Sequence, residues 1–155
     1  MKKNATEITI INEGGFFEAN YSSTLTITTY DISYKKIIEE NEYFPISEEN
    51  KPCNFSYDLD SCEEIFDKLV EQIEQVYNEL NEGIRPIMFC TDVGLKEIYV
   101  SYDNNTKIGL SFFIPSLYGN GFDEIPNLIR SLLVSCDKLP EYLLSDDELH
   151  DFDEE

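Results

Sequence analysis

Glu64, Asp67, Glu71 and Glu74 step along the chain by three, four and three residues. On a helix this spacing lines up four carboxylates in one stripe, with neighbours about 5–6 Å apart. Lys68 is the cation nearest to them. Like charges three or four residues apart repel, so the stripe costs helix stability. In return it offers a row of acceptors to Arg and Lys on a partner, as a phosphate backbone does. Charge runs of this kind also occur simply as solvated faces. A second run, Asp146, Asp147, Glu148, Asp151, Asp153, Glu154 and Glu155, contains no Lys or Arg. It can enter a basic groove through charge-assisted hydrogen bonds, or it can serve as a mobile solubilising tail.

Tyr118-Gly119-Asn120-Gly121-Phe122 is a third candidate, a loop with aromatic ends and two glycines between them. Tyr and Phe are enriched in binding interfaces, so Tyr118 and Phe122 are candidate anchors. The competing reading is a packed helix entry in which Phe122 is a hydrophobic staple.

Other chemistries find less support in the residues. Cys53, Cys62, Cys90 and Cys136 are widely and irregularly spaced, and His150 is the single histidine. A structural zinc site usually shows close Cys pairs. The expectation is therefore free thiols in a reducing cytosol, with no cofactor or metal. Asp58-Leu59-Asp60 and Asp146-Asp147-Glu148 lack the ligand spacing and central glycine of an EF-hand loop. No Gly-x-Ser-x-Gly and no phosphate-binding Gly-rich loop with its Lys is present. His150, placed among acids near the end of the sequence, is a poor platform for a catalytic base. The reading is a non-catalytic protein, with an enzyme of unknown type kept as an alternative.

The bulk charge points the same way. The 155 residues hold 32 Asp and Glu against 11 Lys and Arg, a net charge of −21. Nucleic-acid binding needs phosphates neutralised by Lys and Arg, so no direct nucleic-acid contact is expected. A basic protein surface would be attracted strongly. No run of about 20 apolar residues is present, so no membrane helix is expected, and no secretory leader is recognisable at Met1–Ile11. The expected compartment is the cytoplasm.

These residues must be positioned by a core. Hydrophobic residues form 41% of the chain and aromatics 13%, enough to fold despite the charge. Residues 7–12 read as a strand ended by Gly14-Gly15. Thr24, Thr26 and Thr28 alternate with Leu25 and Ile27, the period of a half-buried strand, and residues 23–38 read as an antiparallel hairpin. Cys53–Tyr57 and Pro86–Cys90 read as short strands. Glu97–Tyr102 and Lys107–Ile114 flank Asp103-Asn104-Asn105-Thr106, whose asparagines tolerate the positive φ of a tight hairpin.

Two helices complete the set. The first spans about 61–82. Ser61 and Glu64 form its capping box, Ile65, Phe66, Leu69, Val70, Ile73, Val76, Tyr77 and Leu80 form its apolar face, and Gly83 ends it. The second spans about 123–136, with Asp123 as its cap and Pro126 in its first turn. Leu139–Leu144 reads as one more turn packed onto the domain. The expected fold is α+β: an antiparallel sheet, with hairpins near 7–38 and 97–114, and both helices on one face. Residues 1–144 form the domain and 145–155 the acidic tail.

In size and charge the chain resembles small acidic proteins that neutralise nucleases or nucleic-acid-binding machines. Immunity proteins of bacterial toxins and phage anti-CRISPR or DNA-mimic inhibitors are of this kind. The resemblance implies a non-catalytic inhibitor bound to the basic surface of a nuclease or related effector, its contacts drawn from Glu64, Asp67, Glu71, Glu74, Asp146, Asp147, Glu148, Asp151, Asp153, Tyr118 and Phe122. The alternative is an intracellular interaction module or accessory subunit whose acidity serves solubility. The residue usage, rich in Asn, Ile, Lys and Glu, fits an AT-rich bacterial or phage genome. Nothing in the sequence sets an oligomeric state.

Overall fold

A computed structural model describes residues 4–13, 21–38, 54–58, 63–83, 95–113, 116–119, 122–133 and 139–145. Six antiparallel strands build one sheet: β1 Ala5–Glu13, β2 Tyr21–Ile27, β3 Asp31–Ile38, β4 Asn54–Asp58, β5 Leu95–Tyr102 and β6 Lys107–Phe113. Their spatial order is β4-β3-β2-β1-β5-β6. The first four strands form a meander. Helix α1, Glu63–Asn81, intervenes before β5, which joins the free side of β1, and β6 follows. Helix α2, Glu124–Leu132, and a short 3₁₀ turn, Glu141–Leu143, complete the described elements.

The alternating pattern of each strand decides its faces. Ile8, Ile10, Leu25, Ile27, Ile32, Tyr34, Ile98, Val100, Leu110 and Phe112 are buried on one side. There they share a core with Phe66, Leu69, Val70, Ile73 and Val76 of α1 and with Ile125, Ile129 and Leu132 of α2. This is the expected α+β fold with helices on one face. A β-bulge at Ala5/Glu7 inserts one extra residue in β1. The bulge brings Ala5 opposite Tyr102 on the core side, where an unbroken alternation would turn it outward.

One row of the core face is polar. Lys36 pairs with Ser23, Ser23 with Asn12, and Asn12 with Lys96, on neighbouring strands. Ser23, Asn12 and Lys96 are buried. The row closes the apolar core at the end of the sheet where β1 and β3 finish and β2 and β5 begin.

The turns follow their residues. Thr28 Oγ1 accepts hydrogen bonds from the Tyr30 and Asp31 amides and donates to the Asp31 carboxylate at 2.6 Å, which closes the β2–β3 turn. Asn105 takes φ 65° in the β5–β6 turn, as expected of an asparagine there. Gly83 takes φ 73° and ends α1. The β4, β5 and β6 bounds fall within two residues of those expected, and Ser61 of the capping box and residues 86–90 lie outside the described residues.

Helix α2 differs from its expectation at both ends. It stops at Leu132, because Leu133 leaves the helical conformation at φ −109°, ψ 23°. At the start, the Asp123 carboxylate caps no N–H of its own helix. It accepts instead from the Gly119 amide at 2.8 Å and ties down the preceding loop. The Leu139–Leu144 turn packs as expected, with Tyr142 and Leu143 fully buried. The Leu117 amide donates to the Tyr142 carbonyl at 2.9 Å, and the Ser116 hydroxyl donates to the Leu144 carbonyl. The chain is thus pinned to the fold up to the residue before Ser145.

Candidate partner-binding surface

Helix α1 places the carboxylate stripe. Its apolar residues face the sheet and α2, which leaves the opposite side to water. Glu64, Asp67 and Glu71 are exposed on that side. Lys68 Nζ lies 3.4 Å from Glu64, an i,i+4 pair on the surface that offsets part of the charge at the N-terminal end. Asp67 and Glu71 make no ion pair among the described residues. Glu63 and Glu82 add exposed acids at the two ends of the helix.

Glu74 stands apart from the other three. It is half-buried, with its carboxylate beside the Tyr102 hydroxyl at the end of β5. Burial first, and then the negative charge and hydrogen bond of Glu74, push the Tyr102 phenol up to about 12. Glu74 is thus turned toward the end of β5, and the fully exposed part of the stripe is Glu64, Asp67 and Glu71. The helical angle carries the signal. Glu74 lies only about 40° around the helix from buried Val70, whereas Glu71 lies about 100° from it.

The aromatic loop is drawn inward. Phe122 is 7% exposed and stacks on Phe112, ring centroids 5.2 Å apart. That contact, a cross-element stack onto β6, holds the helix entry in place of a staple along α2. Tyr118 is half-buried and its hydroxyl donates to Asn127 Oδ1 at 2.9 Å. Neither ring stands out as a protruding anchor. Asp146, Asp147, Glu148, Asp151 and Asp153 lie outside the described residues, as do all four cysteines and His150.

Two features of the surface escaped the sequence reading. On the sheet face turned away from the helices, Tyr99 lies across Gly109 of the neighbouring strand; a Cβ at Gly109 would sit 2.7 Å from the ring. The Tyr99 hydroxyl hydrogen-bonds to Glu97, and this bond raises the Tyr99 phenol above its ordinary value, with smaller contributions from burial and from the Glu97 charge. Lys107 Nζ sits 4.8 Å from the centre of the same ring. The signal lay in register: Tyr99 and Gly109 are cross-strand partners, and an aromatic beside a strand glycine covers the space a side chain would fill.

The second feature is the β6 edge. Among the described residues β6 pairs with β5 alone and ends the order of the sheet. Among the described residues no cluster of three or more His, Cys, Asp or Glu is arranged to hold a metal, and no helix is long and apolar enough to cross a membrane. Compared with known proteins, the chain matches no family model, no curated protein and no solved structure.

Proposed function

We propose that this protein is a small, acidic, non-catalytic inhibitor that binds the basic, nucleic-acid-binding surface of a nuclease or related effector. The observation that supports this most is the outward face of α1. Asp67 and Glu71 stand exposed and without an ion pair among the described residues, on a chain of net charge −21. The i,i+4 repulsion between them is a cost to the helix that binding to Lys and Arg would relieve. Asp146, Asp147, Glu148, Asp151 and Asp153 would extend the same field. Steering by opposite charge makes association fast at low salt and slow at high salt. The protein acts by occupying the effector's nucleic-acid surface and carries out no chemistry of its own.

The test is capture by the tagged chain from lysate at about 50 and about 300 mM salt, a range that strongly changes screening. Retention of one basic nucleic-acid-processing protein at low salt and its loss at high salt would support the reading. A partner of ordinary charge held equally at both salts would contradict it.

A further inference from the structure

Among the described residues no strand covers the β6 edge. Sheet edges are commonly blunted by charges, prolines or bulges. β6, Lys107-Ile-Gly-Leu-Ser-Phe-Phe113, has no proline and one charge, at its first residue. Its register against β5 runs without a break from Lys107 to Phe113. Nor does Lys107 guard the edge, because its ammonium is held over the Tyr99 ring.

The hydrogen-bond phase shows which groups are open. The Tyr102 amide donates to the Thr106 carbonyl across the turn. In an antiparallel pair the bonded positions alternate, so Val100–Ile108 and Ile98–Leu110 are bonded pairs and Ser101–Lys107, Tyr99–Gly109 and Glu97–Ser111 are not. The main-chain N–H and C=O groups of Lys107, Gly109 and Ser111 therefore point away from β5, and no described residue pairs with them. All three residues are exposed. Gly109 has no side chain to hold a second backbone off, and its outer face is already filled by Tyr99.

We propose that β6 receives an extended segment of the basic protein partner, which adds as a seventh strand through the main-chain groups of Lys107, Gly109 and Ser111. This rests on the charge reading of the previous section, and it names how that partner is held. The choice of occupant follows from charge. A second copy brings another −21 to the edge, whereas a segment rich in Lys and Arg is attracted. Helix α1 packs on β6 through its apolar face, and its Asp67 and Glu71 stand on the solvent side of the helix. Main-chain pairing supplies grip, and the net negative charge of the chain supplies preference for basic side chains.

The experiment uses the full-length ¹⁵N-labelled chain and, as probe, a capped ten-residue peptide of alternating lysine and valine, at low salt. Amide shifts and hydrogen exchange are read residue by residue. Binding should shift the Lys107, Gly109 and Ser111 amides and slow their exchange at least tenfold. Alternate backbone N-methylation of the peptide should weaken binding at least tenfold without altering its charge. S111P, which deletes one outward N–H, should weaken binding similarly; the methylated peptide keeps the test valid if that variant misfolds. Peptide shifts confined to α1 near Asp67 and Glu71 would overturn the edge inference and leave the acidic-face reading standing. Equal binding of the methylated peptide would overturn the edge inference alone. No binding of either peptide would overturn both, and β6 protection that grows with protein concentration alone would replace the basic partner with a second copy.

Discussion

At the scale of single residues, two contacts define the molecule's non-helical surface and its helix–sheet joint. Gly109 leaves room for the Tyr99 ring, which is held by Glu97 and lies beneath Lys107. Gly109→Ala puts a methyl where the ring lies, and overpacking of this kind costs roughly 1–3 kcal/mol. Urea unfolding should show that loss, and Y99A in the same chain should recover part of it, since the two changes share one contact. The second contact is Tyr102 with Glu74. Its phenol is raised to about 12 in the folded chain, against about 10 when unfolded. Below pH 10 the phenol is protonated in both states and contributes no pH dependence. Between about pH 10 and 12 the unfolded state loses the proton first, so stability falls as pH rises. Tyr102→Phe should flatten that alkaline decline in pH-dependent unfolding, and should remove one tyrosinate that appears near pH 12 in an ultraviolet titration.

At the scale of elements, the fold was legible wherever a local pattern met a local need. The Thr24–Leu25–Thr26–Ile27 alternation became β2, with Leu25 and Ile27 buried. Gly83 and Asn105 took the positive φ that their turns require. Misses came from contacts between elements, which periodicity does not encode. Asp123 was read as a cap for α2, but the Gly119 amide competes for its carboxylate. Phe122 was read either as a candidate anchor or as part of a packed helix entry, and the stack on Phe112 gives the packed entry. The α1 stripe was legible in its spacing, but spacing alone did not show that Glu74 is half-buried near Tyr102 while the other three acids are exposed. The exposed remainder makes a prediction of its own. D67K relieves repulsion with Glu64 and Glu71, each worth roughly 0.2–0.5 kcal/mol at low salt. The variant should unfold at a slightly higher urea concentration than the parent, and the gain should shrink as salt is added. Loss of stability would mean that Asp67 has a structural duty in α1.

At the scale of the whole molecule, charge and architecture divide the work. The six described strands and two described helices bury an apolar core, and the chain as a whole carries a net charge of −21. A field of that size steers encounters over distances that salt controls. The fold was therefore open to reasoning from sequence, because burial patterns are local and repeated. The partner was not, because a net negative field attracts any basic surface alike. The most direct test is the association rate with the captured basic effector, measured for the parent chain and for D67K/E71K at about 50 and about 300 mM salt. The parent should associate at least about tenfold faster at the lower salt, and the variant should be slow at both. Equal rates for the two chains, with little dependence on salt, would contradict the assignment of the α1 face as the binding surface.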